Sequence, residues 1–367
     1  MKSKSILNEL SPYKPGKQVK EIKEAYGISK IVKLASNENP YGFSKKVTDY
    51  VLHNMHEFNI YPDGYTTELR TAIASKLNVN ENQLLFGNGS DEIVQIICRA
   101  FIYPGVNTVM AAPTFPQYKH NALIEGAAIK EIPTINGYHD LDGMLTAIDK
   151  KTNVVWLCTP DNPSGSTISK KALYKFMDQC PKDVLVVLDE AYYEYMDSNL
   201  DPEAIAHLST YQNLVILRTF SKAYGLAGLR VGYAIANKQL ITKLDIARGP
   251  FNTTTLAQNA AIIALKDDAF IQATRGKNNV VKQSFQQFLD SIGWRYYDSQ
   301  TNFLLVCTPL SGEDVFQYLI ENGFIVRPGE HLGYPNTIRV TMGNEEDMKQ
   351  MQHVLYKLHQ ETNKENK

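Results

Sequence analysis

The chain has 367 residues, 43% of them hydrophobic, so it can bury a sizeable core and form more than one domain. Its formal net charge of −1 at pH 7 favours neither nucleic acid nor an anionic membrane surface, and small molecules are the expected partners. The four scattered cysteines predict no disulfide framework and no metal site, and the absence of a signal segment or a long apolar run predicts a cytoplasmic protein.

Between about residue 84 and residue 236, short apolar runs alternate with longer segments of helical period. This pattern predicts an α/β fold in which helices cover a mostly parallel sheet. After Ser90 and after Ser169, apolar residues recur on one helical face, as in helices that pack on a sheet. The predicted strands span residues 84–86, 109–112, 154–158, 184–188, 214–217 and 231–236.

The pattern changes from about residue 290. A strand at 303–306, a helix at 313–321, and strands at 324–326 and 337–340 are predicted there. Strands and helices in this order predict a second, smaller α+β domain.

Polar residues follow three of the predicted strands of the large sheet. Asn162 comes after the run that ends at residue 158, Asp189 after 188, and Lys222 after 217. Open α/β sheets bind ligands at the carboxyl ends of their strands, so an amide, a carboxylate and an amine are expected at one edge.

Pyridoxal phosphate requires such a set of groups. Asp189 would keep the pyridine nitrogen protonated, while Asn162 and Tyr192 would donate to the phenolic oxygen of the ring. Lys222 would form a Schiff base with the cofactor and move the substrate proton, and Phe115 would stack on the ring.

A glycine-rich turn, GNGSDE at residues 87–92, leads into a predicted helix. Backbone N–H groups at a helix N-terminus bind anions, so this turn is expected to hold the cofactor phosphate. Taken singly, each of these residues also has an ordinary role as a cap, a turn or core packing, and the prediction depends on their joint order. The predicted phosphate-binding residues are Gly89, Ser90, Asp91, Ser221 and Arg230.

The segment 219–233, TFSKAYGLAGLRVGY, resembles the cofactor-lysine signature of the class-II aminotransferases, which are fold type I pyridoxal-phosphate enzymes. Residues 160–165 (PDNPSG) and 188–192 (LDEAY) match the amide and aspartate motifs of that family in the expected order. The resemblance implies a large cofactor-binding domain at 37–265, and a small domain with an N-terminal arm made from 1–36 and 266–367.

Within that family, the chain most resembles the histidinol-phosphate aminotransferases, at residues 12–16, 34–40, 61–64, 326–329 and 338–343. The resemblance implies a homodimer in which Tyr61 reaches the cofactor phosphate of the other subunit. It also implies an anion pocket for the substrate, formed by Arg327 and Arg339 with Tyr13, Asn37 and Asn162 nearby. Residues 329–334 depart from the family pattern and place acidic Glu330 near that pocket.

The reaction implied is transfer of an amino group between imidazole-acetol phosphate plus glutamate and histidinol phosphate plus 2-oxoglutarate, in histidine biosynthesis. The mechanism is expected to be ping-pong. Two rival activities are an aromatic-amino-acid aminotransferase and a pyridoxal-dependent decarboxylase of a phosphorylated amino acid. A non-catalytic module of a transcription regulator is disfavoured, because the enzyme pattern occupies almost the whole chain and leaves no room for a DNA-binding domain.

Overall fold

The computed structural model of the chain describes residues 3–12, 23, 25, 27–28, 30–53 and 59–365. The strands are β1 (Val32–Lys33), β2 (Leu84–Gly87), β3 (Asn107–Ala112), β4 (Ala128–Pro133), β5 (Thr152–Cys158), β6 (Leu185–Asp189), β7 (Leu214–Thr219), β8 (Gly232–Ala236), β9 (Phe303–Cys307), β10 (Phe324–Ile325), β11 (Arg327–Pro328) and β12 (Thr337–Thr341). The α-helices are α1 (Lys45–His53), α2 (Thr67–Leu77), α3 (Ser90–Phe101), α4 (Gln117–Ile124), α5 (Leu141–Ala147), α6 (Lys170–Gln179), α7 (Lys238–Ala247), α8 (Thr255–Leu265), α9 (Asp268–Ser291), α10 (Gly312–Glu321) and α11 (Glu345–Glu365).

Among the described residues, a seven-stranded sheet has the order β2-β8-β7-β6-β5-β3-β4. The strands from β4 to β7 along this order are parallel to their neighbours, whereas β8 is antiparallel to both β7 and β2. The prediction of a mostly parallel sheet is therefore confirmed.

Alternate side chains of the central strands enter two different hydrophobic cores. In β5, Val155 and Leu157 pack in one core, and Val154 and Trp156 pack in the other. A strand buried on both faces has no polar face to show in its sequence, which explains why β5 appears there as a continuous apolar run. Strand β4 was not predicted, because it lies at the sheet edge and its side chains are half-buried or exposed.

The helices that cover this sheet begin where the sequence indicated. The hydroxyl of Ser169 accepts a hydrogen bond from the N–H of Ala172 and caps α6, whose Leu173 and Phe176 are buried. Helix α3 begins at Ser90 and buries one apolar face against the sheet. Within the described ranges, no helix is long and apolar enough to cross a membrane.

The chain ends form a smaller α+β unit, as predicted. Strands β11, β12 and β9 form an antiparallel sheet, and β1 pairs in parallel with β10. The strand predicted at 324–326 ends at Ile325, because Arg327 already pairs with Arg339 of β12 in the other sheet. The boundaries 37–265 for the large domain, and 1–36 with 266–367 for the small one, remain a prediction.

Candidate active site

Strands β5, β6 and β7 lie side by side and parallel, so their carboxyl ends meet at one edge of the central sheet. Asp189 is the last residue of β6, and Asn162 and Lys222 lie in the turns that follow β5 and β7. Tyr192 lies with them, since its ring centre is 5.6 Å from the Lys222 Nζ atom. The structure thus places the predicted amide, carboxylate and amine at the same edge.

The Lys222 amine is held in a largely apolar and cationic setting. Its Nζ atom donates to the carbonyl oxygen of Ser36 at 3.3 Å. Burial, together with the nearby Arg339 and Arg230 and against the opposing effect of acidic neighbours, lowers the pKa of Lys222 to about 8. A sizeable fraction of the amine is therefore unprotonated near neutral pH and able to attack a carbonyl carbon.

The Asp189 carboxylate is 2% exposed. Its Oδ2 atom accepts a hydrogen bond from the Tyr118 hydroxyl at 2.7 Å, and its Oδ1 atom accepts one from the N–H of Ala191 at 3.1 Å. Burial raises the pKa of Asp189 to about 6. An ionised carboxylate offers about four acceptor positions, so Asp189 can accept a further donor.

Tyr118 was missed by sequence reasoning. It lies in α4, is fully buried, stacks on Trp156 with ring centres 4.8 Å apart, and presents its hydroxyl to Asp189. Phe115, the predicted ring-stacking residue, is partly buried and meets Tyr118 edge to face at 5.4 Å. The only local signal for Tyr118 is its position three residues after Phe115.

The glycine-rich turn and Arg230 come together at the N-terminus of α3. Arg230 donates through Nη1 to the Ser221 hydroxyl at 3.1 Å, and its Nη2 atom lies 3.5 Å from a carboxylate oxygen of Asp91. Gly89 has a φ of +80°, and a Cβ at this position would lie 2.5 Å from the Arg230 Nη2 atom. The turn therefore requires glycine, and it forms a site suited to an anion.

Three residues outside the predicted phosphate-binding set support this turn: Glu92, Asn252 and Gly232. The Glu92 Oε2 atom accepts hydrogen bonds from the N–H of Asn88 at 2.5 Å and from the Asn252 side chain at 2.7 Å. Ser90, the first residue of α3, is buried beside Gly232, where a Cβ would lie 2.6 Å from the Ser90 nitrogen. These contacts hold the start of the helix against β8.

Arg339 on β12 brings the smaller sheet into the site. Its Nη1 atom donates to Asn162 Oδ1 at 2.5 Å, and its Nη2 atom donates to the carbonyl oxygen of Ala35 at 2.8 Å. Arg327 stands directly opposite Arg339 in the antiparallel pair. Side chains at opposite positions of such a pair share one face of the sheet, so both guanidinium groups are on the same side.

Asn37 connects the chain start to the same site. Its side-chain nitrogen donates to the Tyr192 hydroxyl at 2.8 Å, and its side-chain oxygen accepts from the Thr341 hydroxyl at 2.9 Å. Asn37 is buried and adopts a positive φ of 57°, which asparagine tolerates better than most residues. Tyr13, the other residue predicted here from the N-terminal segment, lies outside the described residues.

Tyr61 is set apart from the other predicted residues within one chain. Its side chain is 79% exposed, and its ring stacks on Phe251 with centres 4.9 Å apart. Phe251 has a positive φ of 53°, a strained value for an aromatic residue. The predicted role of Tyr61 toward a second subunit stays a prediction.

Glu330 has a structural role that the sequence did not reveal. Its Oε1 atom accepts hydrogen bonds from the N–H of Gly312 at 2.8 Å and of Asn336 at 3.0 Å. The carboxylate thus stabilises the start of α10 and the turn before β12. The adjacent His331 is exposed and pairs with Glu313 at 2.8 Å.

The chain matches the family model for aminotransferases of class I and II over residues 29–355. It is 59% identical over 356 residues to histidinol-phosphate aminotransferase 2 of Oceanobacillus iheyensis, covering 97% of this chain and 98% of that protein. It is 52% identical over 356 residues to the histidinol-phosphate aminotransferase of Bacillus subtilis, covering 97% and 99%. The crystal structure of histidinol-phosphate aminotransferase from Sinorhizobium meliloti in complex with pyridoxal-5'-phosphate aligns with a TM-score of 0.90 at 25% identity, over 99% of each chain. The chain therefore belongs to the class I and II aminotransferase family.

Proposed function

We propose that the chain is a pyridoxal-phosphate-dependent transaminase of histidine biosynthesis. It transfers an amino group reversibly between imidazole-acetol phosphate plus glutamate and histidinol phosphate plus 2-oxoglutarate. Relatives that share 59% and 52% of its residues carry the name histidinol-phosphate aminotransferase, which supports this substrate. The observation that carries the proposal is the part-buried amine of Lys222, at one sheet edge with buried Asp189.

The groups at this edge fit pyridoxal phosphate. Within the described part of the chain, no ion pair joins the Asp189 carboxylate to a cation, and a protonated ring nitrogen supplies that charge. The turn at Gly89 leaves the N-terminus of α3 open beside the guanidinium of Arg230, as a phosphate group requires. A basic ring with a phosphate arm explains both features.

The bound cofactor supplies a conjugated ring that delocalises electrons from the substrate carbon. Asp189 would keep a proton on the ring nitrogen, and the hydroxyl of Tyr118 fixes the orientation of its carboxylate. Lys222 would hold the cofactor through its amine, and the Nζ atom would also be the base that accepts the proton from the substrate carbon. The pKa of about 8 allows this amine to take up and release a proton near neutral pH.

The remaining predicted residues bind and orient the reactants. The N–H groups of the first turn of α3, with Ser221 and Arg230, hold the cofactor phosphate. Arg339 and Arg327 bind the phosphate of histidinol phosphate and then a carboxylate of glutamate, because a guanidinium fork serves either anion. Asn162, held by Arg339, and Tyr192, held by Asn37, face the cofactor ring.

Two rival activities stay distinguishable by experiment. An aromatic-amino-acid aminotransferase would use the same lysine and aspartate with a different side-chain pocket. A decarboxylase of a phosphorylated amino acid would release carbon dioxide instead of exchanging an amino group. The names of the relatives support histidinol phosphate over both.

We also propose that the protein acts in the cytoplasm as a homodimer, with Tyr61 completing the phosphate site of the second subunit. The exposed ring of Tyr61, its stacking on Phe251 and the exposed Ile60 and Tyr65 beside it support this arrangement. Light scattering should give twice the chain mass. Tyr61→Phe should weaken cofactor binding, whereas the same change at Tyr103, an exposed tyrosine elsewhere, should not.

The first experiment is a half-reaction on purified protein. The visible absorbance of the lysine-bound cofactor is followed after addition of histidinol phosphate, phenylalanine or glutamate, with Lys222→Ala as the control. Fastest bleaching with histidinol phosphate supports the proposal in full. If bleaching is faster with phenylalanine, the transaminase chemistry stands and the proposed substrate is wrong. If no cofactor band appears after pyridoxal phosphate is added, both the chemistry and the substrate are wrong.

A further inference from the structure

Asp161 lies beside the site and is fully buried. Its Oδ1 atom accepts hydrogen bonds from the Thr114 hydroxyl at 2.6 Å and from the His139 Nε2 atom at 3.3 Å. Its Oδ2 atom accepts from the hydroxyl and the N–H of Ser164 at 2.8 and 3.2 Å. Four donors from three residues therefore converge on one buried carboxylate and satisfy its acceptor positions away from water.

The donors come from separate stretches of the chain. Thr114 directly precedes Phe115 in the turn after β3, and Asp161 directly precedes Asn162 in the turn after β5. His139 comes from a third segment, before α5. The carboxylate thus fastens together the turn with the predicted ring-stacking residue and the turn whose amide accepts a hydrogen bond from Arg339.

The ring of His139 is arranged to serve this carboxylate. Its Nδ1 atom is buried and has no hydrogen-bond partner in the described part of the chain. An unpaired buried N–H group is rarer than an unpaired acceptor, which assigns the proton to Nε2, facing Asp161. His139 is therefore a donor to Asp161.

We propose that Asp161 is a positioning residue for transamination: it sets the Phe115 turn against the Asn162 turn and, through Asn162, fixes the guanidinium of Arg339 in the substrate-anion pocket. The inference rests on the proposed function. It assigns Asp161 no contact with the reacting atoms. The carboxylate instead keeps Phe115 and Arg339 in the relative positions at which they would hold the cofactor ring and the substrate anion together.

Three variants test this role. Asp161→Ala leaves all four donors without their acceptor, and it should raise the KM for histidinol phosphate and the Kd for pyridoxal phosphate by about 10-fold to 100-fold, since small misplacements have effects of this size. Asp161→Asn should lose less than Asp161→Ala, because the amide oxygen still accepts from Ser164 and the hydroxyl of Thr114 can accept from the amide nitrogen, and only the His139 N–H loses its acceptor. Thr114→Val should shift both constants in the same direction but by less than Asp161→Ala. Added to Asp161→Ala, it should have no further effect.

Asp140→Ala is the matched control. Asp140 neighbours His139, and its side chain caps α5 by accepting from the N–H of Gly143 at 2.9 Å, so its loss should lower stability through the lost helix cap without moving the site. The readouts are an absorbance titration with pyridoxal phosphate, steady-state kinetics and thermal unfolding.

Equal KM and Kd values in Asp161→Ala and in the unaltered protein, alongside a lower unfolding temperature, would overturn the inference and leave Asp161 a purely structural residue. The cofactor titration keeps this result separate from the proposed function. If the unaltered protein binds pyridoxal phosphate but rejects histidinol phosphate, the substrate is wrong, and the Kd comparison among the variants still decides the role of Asp161.

Discussion

Asp189 and Glu190 are consecutive buried carboxylates at the end of β6, yet their surroundings differ. Glu190 Oε2 accepts from Nε of Arg218 at 2.9 Å and lies 2.8 Å from Nη2 of the same guanidinium, which is 3.4 Å from the centre of the Tyr193 ring. Among the described residues, the donors to Asp189 are the neutral groups of Tyr118 and Ala191. Burial raises the pKa of both carboxyl groups, and for Glu190 the ion pair opposes that shift.

The difference separates a structural carboxylate from a functional one. Consecutive side chains of a strand point to opposite faces, so Glu190 enters the protein interior and Asp189 faces the site. Glu190 finds its cation inside the chain. A buried carboxylate without a cation costs stability, and under the proposed function the cofactor would bring the positive charge to Asp189.

The largest expected effect is the loss of activity in Asp189→Asn. The amide has the shape of the carboxylate but cannot stabilise a positive ring nitrogen, so the transamination rate should fall by about 1000-fold. The folded-state pKa near 6 lies above its ordinary value, so ionised Asp189 destabilises the cofactor-free protein as pH rises through that range. At pH 7.5 the variant should therefore be more stable than the unaltered protein by about 3 kcal/mol without cofactor. Kinetics and urea unfolding measure both effects. A variant that is active, or less stable than the unaltered protein, would show that Asp189 does not differ from Glu190 in the way proposed.

The next largest effect is expected for Glu190→Gln, which should lower stability strongly and activity little. The change leaves the guanidinium of Arg218 buried without its charged partner, which should lower the free energy of unfolding by about 3 kcal/mol. The rate per folded molecule should change far less than in Asp189→Asn. Adding Arg218→Met should recover part of the stability, because the unpaired charge is then removed. Unchanged stability of Glu190→Gln would show that the ion pair is dispensable.

The smallest of the three effects concerns pH. Cofactor capture needs the unprotonated Lys222 amine, and its pKa of about 8 means that the rate at which cofactor-free protein takes up pyridoxal phosphate should rise about tenfold between pH 7 and pH 9. Glu190→Gln should leave the midpoint in place, since Glu190 is not among the groups that shift the Lys222 pKa. A stopped-flow absorbance series measures the rate. A rate independent of pH would mean that another group limits capture.

Sequence reasoning located the residues whose chemistry follows directly from strand order. Asn162, Asp189 and Lys222 could be predicted because each follows a buried apolar run, and parallel strands end at a common edge. Their partners could not be predicted in the same way. Tyr118 contacts Asp189, and Arg218 contacts Glu190, although each pair is far apart in the sequence. The periodicity of a local segment does not indicate which distant polar groups will meet in the interior.

The same limit applies to the edges of the fold. Strand β4 has half-exposed side chains, and the two-residue strand β1 has no pattern to detect, since it is defined by pairing with β10 almost 300 residues later. The sequence placed acidic Glu330 near the anion pocket, but it could not show the two backbone N–H groups that donate to this carboxylate.

The central claim is that Lys222 carries the cofactor, and its most direct test compares two buried lysines. Burial lowers the pKa of Lys282 to about 8 as well, but its Nζ atom donates to the carbonyl oxygen of Ser299 at 2.6 Å, away from the sheet edge. Borohydride reduction of the protein with bound pyridoxal phosphate, followed by peptide mass analysis, locates the attached lysine. We expect one phosphopyridoxyl group on Lys222 and none on Lys282. A label on Lys282, or an unlabelled Lys222, would contradict the assignment of Lys222 as the cofactor lysine.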